Sequence, residues 1–284
     1  MTQNTPGIIA AGHCQSVAAG QAILQEGGNA FDAAVAAILA SFVVEPTLTS
    51  AGGGGFLLAH TKDNCNTLFD FFTQTPCRKR TLEEVNFYPV KIDFGGATQV
   101  FHIGLGSMAV PGNLAGAFEV HRQLGRLPLS VVVEPAIHYA NRGVKISNFQ
   151  GFCIQLLHPI LETLPEARKI YAPKGKLLEP GDHLYFPDFA STLAHIAQEG
   201  IEEFYQGEIA HQLLQDCQEQ GGYLTQKDLE NYSVIRRTPL KFSYRDWEIL
   251  TNPPPSSGGT LIACALKLLE QINLENLEIG RAHV

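Results

Sequence analysis

The chain has 284 residues, of which 45% are hydrophobic and 17% are charged, so its composition is that of a globular protein and not of a disordered one. Lys and Arg number 20 against 28 Asp and Glu, which gives a formal net charge of -8. A protein that tracks phosphates needs a basic surface, so we expect no nucleic-acid partner.

The apolar segments of the sequence are too short for a membrane span. The longest, residues 33–44, is interrupted by Ser41, whereas a span needs roughly 20 apolar residues. Residues 1–12 lack the basic and long apolar regions of a secretory signal. These features predict a cytoplasmic protein without a membrane partner.

The six cysteines are widely spaced and form no Cys-x-x-Cys pair, and the ten histidines are scattered. Zinc ribbons and dithiol redox motifs need close pairs. We therefore expect no metal and no organic cofactor. An even number of cysteines permits disulfides, but the spacing favours buried free thiols.

The first predicted elements are two helices. Apolar residues at i, i+3 and i+4 spacing predict a helix over residues 16–25. Asn29 then predicts an N-cap, with Asp32 in the position of a capping box. The helix that follows, over residues 30–43, is rich in alanine, which predicts close packing against a sheet.

Four glycines at 52–55 lead into a predicted strand over residues 56–60. The run is not a phosphate-binding loop, because it follows a helix and enters a strand, which is the wrong order. It predicts close approach of the backbone to another strand or to a ligand, and tight packing near a site is the favoured interpretation. A second strand is predicted over residues 67–72, and Asp70 within it is also consistent with a simple strand end.

The remaining pattern alternates short extended segments with helices. We predict an extended stretch over 100–110, helices over 113–124 and 128–141, and mostly helical structure from 149 to 232. A strand over 247–250 and a helix over 260–272 end the series. Between them, Ser256, Ser257 and Gly258 predict either an anion site at a helix start or a proline-stiffened turn with a serine N-cap.

Taken together, several blocks of sequence resemble the γ-glutamyltransferase family in order and spacing. They are AGH (11–13), SVAAG (16–20), GGNAFDAAVA (27–36), VEP (44–46), GGGGF (52–56), VPG (110–112), AG (115–116), GG (221–222), DL (228–229) and PPPSSGG (253–259). The resemblance implies an α/β (α+β) N-terminal-nucleophile hydrolase fold, an αββα sandwich that is incomplete in this chain.

The resemblance also implies a precursor that cleaves itself. The new N-terminal threonine of the small subunit would then be the nucleophile, with its own α-amine as base. The family's small subunit begins with threonine, usually followed by a second threonine or serine and a histidine, and this chain contains no Thr-His dipeptide. We expect residues 1–277 to be the large-subunit portion, with no catalytic nucleophile of its own and no activity alone.

The last seven residues, EIGRAHV at 278–284, are those that a common short-read sequencing adapter encodes in one reading frame. We expect them to be a non-native tail. A native continuation into a loop is the alternative.

A second departure concerns the arginine that holds the γ-glutamyl α-carboxylate in the family. Phe72 stands at that position, and phenylalanine cannot make the bidentate charged hydrogen bonds of a guanidinium. Arg78 and Arg80 follow, but only a loop that doubles back would bring Arg78 to the same place. The candidate substrate-binding residues are Phe72, Asp70 and Thr73, and the candidate site-lining residues are Ser256, Ser257 and Gly258.

Three functions remain open from the sequence. The first is glutathione hydrolysis and γ-glutamyl transfer through an acyl-enzyme by the complete protein. The second is an acylase of the same fold with a different acyl donor, and the third is a short, catalytically dead binding protein. The partners expected for an enzyme are a small-molecule γ-glutamyl or other acyl amide and the small subunit from the same precursor.

Overall fold

The computed structural model describes residues 7–272. The chain divides into two compact units. The first contains residues 7–55 and 71–234, and the second contains residues 56–70 and 235–272. The expected tail at 278–284 lies outside the described residues, and its origin stays a prediction.

Helices dominate the first unit, and strands dominate the second. The described helices are α1 (Cys14–Gln25), α2 (Ala30–Val44), α3 (Asn113–Leu124), α4 (Leu129–Arg142), α5 (Asn148–Leu161), α6 (Pro165–Tyr171), α7 (Pro187–Glu199), α8 (Glu202–Gln206), α9 (Glu208–Glu219), α10 (Gln226–Glu230) and α11 (Ser257–Leu269). The described strands are β1 (Gly55–His60), β2 (Asn66–Phe71), β3 (Tyr88–Asp93), β4 (Thr98–Ile103), β5 (Val144–Lys145), β6 (His183–Leu184), β7 (Ile235–Arg237), β8 (Leu240–Tyr244) and β9 (Trp247–Thr251).

The capping box predicted at Asn29 is confirmed. Its side chain accepts hydrogen bonds from the backbone N–H groups of Phe31 and Asp32, and the Asp32 carboxylate accepts from the Asn29 N–H. The same carboxylate accepts from the N–H groups of Arg126 and Leu127, between α3 and α4. Asp32 is fully buried, so one side chain both starts α2 and fixes the α3–α4 loop to it.

The alanine-rich helix α2 packs chiefly against other helices, namely α1, α3 and α4. The expectation that its small residues would face a sheet is therefore wrong. Val43 and Val44 share a buried cluster with Ala140 of α4 and Ala190 of α7. Small side chains allow close approach to any flat apolar surface, so they do not specify whether a helix or a sheet provides it.

The prediction of mostly helical structure between residues 149 and 232 is confirmed by α5 to α10. A hairpin of β3 and β4 was not predicted. Its two strands pair in register from Tyr88 opposite Ile103 to Asp93 opposite Thr98. Only Ile92 among their residues is buried. Tyr88, Val90 and Ile92 alternate along β3, so its period-2 pattern was present and was overlooked, whereas the extended stretch predicted over 100–110 overlaps β4.

The second unit contains a three-stranded sheet in the order β1-β2-β7 and a hairpin of β8 and β9. Helix α11 packs on β8. The Arg245 N–H in the hairpin turn donates to the Glu270 carboxylate at 2.7 Å. Lys267 of α11 bonds the same carboxylate at 2.8 Å, so the end of the helix is fixed to the hairpin.

Other properties of the described residues bear on the chemistry. All six cysteines are free thiols. Cys153 and Cys217 are buried, but Cys14, Cys65, Cys77 and Cys264 are exposed, so the expectation of buried thiols is wrong for four of them. Between residues 7 and 272, no helix has the length and apolar character to cross a bilayer.

Candidate functional site

Phe72 and Thr73 follow β2 directly, in the first unit. Phe71, the last residue of β2, is buried, whereas Phe72 is 55% exposed. Successive side chains of an extended segment point in opposite directions, which explains the contrast. The Phe72 carbonyl oxygen accepts a hydrogen bond from the Tyr232 hydroxyl at 3.0 Å. We call residues 71–73 the acyl-position segment.

Two glycines contact the main chain of the acyl-position segment where no side chain would fit. A Cβ atom at Gly54 would overlap the Thr73 amide nitrogen and lie 2.9 Å from the Phe71 carbonyl oxygen. A Cβ atom at Gly112 would overlap both that carbonyl oxygen and the Tyr232 hydroxyl. The prediction that the run at 52–55 serves close backbone packing is thereby confirmed.

The glycine run is itself fixed to the start of α3. The Gly53 carbonyl oxygen accepts from the N–H groups of Gly112 at 2.8 Å and Asn113 at 2.9 Å. The buried Asn113 side chain donates to the Ser50 carbonyl oxygen at 2.7 Å. These bonds join residues 50–54 to α3, so the two glycines that contact the acyl-position segment belong to one hydrogen-bonded framework.

Tyr232 stacks on Tyr205 of α8, with ring centroids 5.6 Å apart and an angle of 9° between the rings. The buried Tyr205 hydroxyl donates to the Pro111 carbonyl oxygen at 2.8 Å. Burial raises the pKa of Tyr205, so the hydroxyl stays protonated and remains a donor. Both rings line a cavity of about 650 Å³ between α3, α8 and the chain that follows α10.

The loop that follows Thr73 is bonded to α10. The Asp228 carboxylate accepts from the Cys77 N–H at 2.9 Å and from the Thr225 hydroxyl at 2.6 Å. Burial raises the pKa of Asp228, but these hydrogen bonds outweigh it and hold the pKa below its usual range. The hydrogen bond and charge of Asp228 raise the pKa of the Cys77 thiol.

Arg80, one of the two arginines near Phe72 in sequence, is partly buried. Burial raises the pKa of the Cys217 thiol, and the charge of Arg80 is close enough to oppose that shift. Arg78 is exposed and makes no described ion pair among residues 7–272.

Asp70 lies in the second unit. Its carboxylate is buried and accepts a hydrogen bond from the Arg237 guanidinium at 2.6 Å. Arg237 belongs to β7, which pairs with β2 in antiparallel register. The pair joins two neighbouring strands, so Asp70 has a structural partner.

Ser256, Ser257 and Gly258 are also in the second unit, at the start of α11. Ser256 occupies the N-cap position, but its side chain makes no capping hydrogen bond. A Cβ atom at Gly258 would meet no atom within 4 Å, whereas one at Gly259 would overlap the Asn252 main chain. The Ser256 N–H donates to the Pro253 carbonyl oxygen in the turn before α11, and Ser257 and Gly258 are exposed.

The gamma-glutamyltranspeptidase family model matches residues 16–284 of the chain. The chain belongs to the gamma-glutamyltranspeptidase family. It is 33% identical over 280 residues to the glutathione hydrolase proenzyme of Escherichia coli K12, covering 97% of this chain and 47% of that protein. It is 35% identical over 276 residues to the acylase ACY 1 proenzyme of Pseudomonas sp. strain SE83, covering 96% of this chain and 49% of that protein.

Among solved structures, the γ-glutamyltranspeptidase of Helicobacter pylori superposes with a TM-score of 0.87 and 31% sequence identity, covering 99% of this chain and 80% of that chain. The chain therefore has the mixed α/β fold of the N-terminal-nucleophile γ-glutamyltranspeptidases. It spans about half the length of the curated relatives it matches and is the large-subunit portion of this family.

The residues predicted for the site belong to both units of the chain. Phe72 and Thr73 lie in the acyl-position segment of the first unit, whereas Asp70 and residues 256–258 lie in the second. Their roles in substrate binding stay predictions. Sequence analysis missed Tyr232, although this residue follows the noted DL pair at 228–229 and comes four residues after Asp228. Its partner, the Phe72 carbonyl oxygen, lies 160 positions away, so nothing in the sequence indicates the contact.

Proposed function

We propose that the complete protein transfers an acyl group from an amide donor to water or an amine through an acyl-enzyme. Family membership over residues 16–284 supports this proposal, as do a glutathione hydrolase and an acylase among the relatives. The nucleophile would be the N-terminal threonine of a small subunit released from the same precursor. The 284-residue chain alone is expected to be inactive, and its cytoplasmic location stays a prediction.

The observation that carries the substrate assignment is the exposed phenylalanine at position 72. At the family's carboxylate-binding position, a phenylalanine provides apolar surface and no charge. The loss of a charged hydrogen bond costs about 2–3 kcal/mol, which would weaken binding of a γ-glutamyl α-carboxylate. We therefore propose a small-molecule acyl amide whose acyl group is less polar at this point than γ-glutamyl.

A second candidate is hydrolysis of the side-chain amide of a β-lactam or another secondary metabolite. The similarity to acylase ACY 1, 35% over 276 residues, favours it. It shares the acyl-enzyme chemistry of the first candidate and differs only in the donor. A panel of donors therefore decides between the two.

The expected small-subunit partner is supported by apolar side chains that the second unit leaves exposed. Trp247 is 74% exposed, and Leu261 and Leu268 of α11 are 66% and 63% exposed. Large apolar patches on a protein surface usually mark an interface. We propose that the rest of the precursor covers them.

The decisive experiment replaces Phe72 by arginine in the complete, processed protein. We expect kcat/KM for a γ-glutamyl anilide to rise tenfold or more, because about 1.4 kcal/mol of new charged hydrogen bonding is a factor of ten. Values for apolar acyl anilides should fall. Phe94→Arg is the matched control, since Phe94 is 48% exposed and lies between β3 and β4; it should change neither.

Two results would contradict the proposal. Strong γ-glutamyl turnover by the natural protein, unchanged by Phe72→Arg, would show that position 72 does not contact the acyl group. A genomic reading frame that stops after residue 284 without any threonine-led small subunit would favour the binding-protein alternative. Sequencing the gene through and beyond residue 277 tests the second point.

A further inference from the structure

The main chain at Phe72, one residue past the end of β2, is bonded by a tyrosine side chain. Strand β2 ends at Phe71, and the next main-chain pairing is the bridge between Gln74 and Val110. Between these two points, the Phe72 carbonyl oxygen is bonded by the Tyr232 hydroxyl at 3.0 Å. The Tyr232 hydroxyl therefore helps to orient the peptide group that follows the Phe72 side chain.

The ring of Tyr232 is itself fixed in position. It stacks on the buried ring of Tyr205, whose hydroxyl is bonded to Pro111 at 2.8 Å. The Tyr232 N–H also donates to the Leu229 carbonyl oxygen at 3.2 Å, which continues the turn of α10. A donor fixed on two sides is pre-organised, so it loses little freedom on bonding its acceptor.

The glycine at 112 gives the hydroxyl access to that carbonyl. A Cβ atom there would overlap both the Tyr232 hydroxyl and the Phe71 carbonyl oxygen. Gly112 is fixed by the bond from its N–H to the Gly53 carbonyl oxygen. The absence of a side chain at 112 and the presence of a hydroxyl at 232 thus serve the same contact.

The Tyr232 hydroxyl donates its hydrogen to a main-chain carbonyl, so its removal would affect a bound substrate through the residue it holds. We propose that Tyr232 is a positioning residue that sets the direction of side chain 72 and, through it, the acyl-donor selectivity of the complete protein. The inference rests on the proposed function, because it needs position 72 to contact the acyl group. Small displacements of a substrate-positioning group change rates strongly, so one hydrogen bond suffices for a measurable effect.

The test is a double-mutant cycle with Phe72→Arg and Tyr232→Phe in the complete, processed protein. The Phe variant removes the hydroxyl and keeps a ring that stacks on Tyr205. The readout is the ratio of kcat/KM for a γ-glutamyl anilide to that for an apolar acyl anilide. With Tyr232 present, Phe72→Arg should raise this ratio at least tenfold. With phenylalanine at position 232, the increase should be smaller by a factor of at least three.

The matched control is Tyr223→Phe, because Tyr223 lies in the same unit and its hydroxyl makes no described hydrogen bond among residues 7–272. It should leave the gain from Phe72→Arg unchanged. In the natural background, Tyr232→Phe should raise KM for the preferred donor threefold to tenfold with kcat within twofold. A purely structural residue would instead lower the amount of processed protein and leave the ratio unaltered.

The outcomes separate the two proposals. An equal gain from Phe72→Arg in both backgrounds overturns the positioning role of Tyr232 alone. No effect of Phe72→Arg on any donor in either background overturns the assignment of position 72, and the inference with it. If Tyr232→Phe yields no processed protein, Tyr232→Leu, which removes the hydroxyl and offers no side-chain donor, replaces it with the same expected loss.

Discussion

The acyl-position segment and the turn at 256–258 both adjoin glycines, yet the two regions use them differently. Gly54 and Gly112 are packed against the main chain of residues 71–73, so a methyl group has no space there. Gly258 meets nothing within 4 Å. Several neighbouring residues therefore fix the main chain of the first region, whereas the second region is an exposed start of a helix.

The contrast shows that a glycine-rich motif does not by itself indicate a ligand site. At Gly54 the glycine is explained by a neighbouring strand end within the first unit. At Gly258, no contact among the described residues explains the absence of a side chain. Whether packing requires a glycine at a given position is therefore decided by the atoms that a Cβ atom would contact there.

The largest difference between the two regions is expected from alanine substitutions. Gly54→Ala should lower the free energy of unfolding by about 1–3 kcal/mol, because the new methyl group displaces the acyl-position segment. Gly258→Ala, at an open position in the first turn of α11, should be neutral or stabilising by up to about 1 kcal/mol. Denaturant unfolding of the complete protein measures the free energy of unfolding of each variant. Equal losses of stability in the two variants would contradict the difference in packing between Gly54 and Gly258.

A smaller difference is expected between the helix cap at Thr225, in the first unit, and the one at Ser256, in the second. Thr225 caps α10 through a complete capping box with Asp228, so Thr225→Ala should cost about 0.5–2 kcal/mol. The Ser256 side chain makes no capping bond, so Ser256→Ala should cost less than about 0.5 kcal/mol. A loss at Ser256 as large as at Thr225 would mean that the serine has a partner outside the described residues.

The smallest effect concerns the loop held by Asp228. Its folded pKa is lowered from 3.8, so its carboxylate stabilises the fold above that value and the contribution fades as the pH falls below about 4. Asp228→Asn should therefore lower the unfolding midpoint at pH 7 and do so progressively less in more acidic buffer. A deficit independent of pH would contradict this cause.

The same variant has a chemical readout at Cys77. Because Asp228 raises the pKa of that thiol, Asp228→Asn should increase the rate at which iodoacetamide alkylates Cys77 at pH 7.5, since the thiolate is the nucleophile. Cys65, which is also exposed, serves as the reference in the same mass-spectrometric sample. An unchanged ratio of the two rates would exclude the link.

The sequence predicted best where the physical signal is local. The boundaries of α3 match the predicted 113–124, and α2 differs from its prediction only by ending at Val44. Both helices have apolar periodicity or a capping residue within a few positions. The hairpin of β3 and β4 was missed although Tyr88, Val90 and Ile92 alternate along β3, because the pattern within one strand does not indicate which segment pairs with it.

The sequence by itself determined the family, through its spaced blocks, and it predicts the departure at Phe72, because both depend on residue identity along the chain. Only the tertiary structure decided what holds that position. The partners of the acyl-position segment come from residues near 54, 112 and 232, and those of Asp70 come from Arg237. Contacts between residues distant in sequence depend on packing, and the periodicity within a single segment does not indicate them.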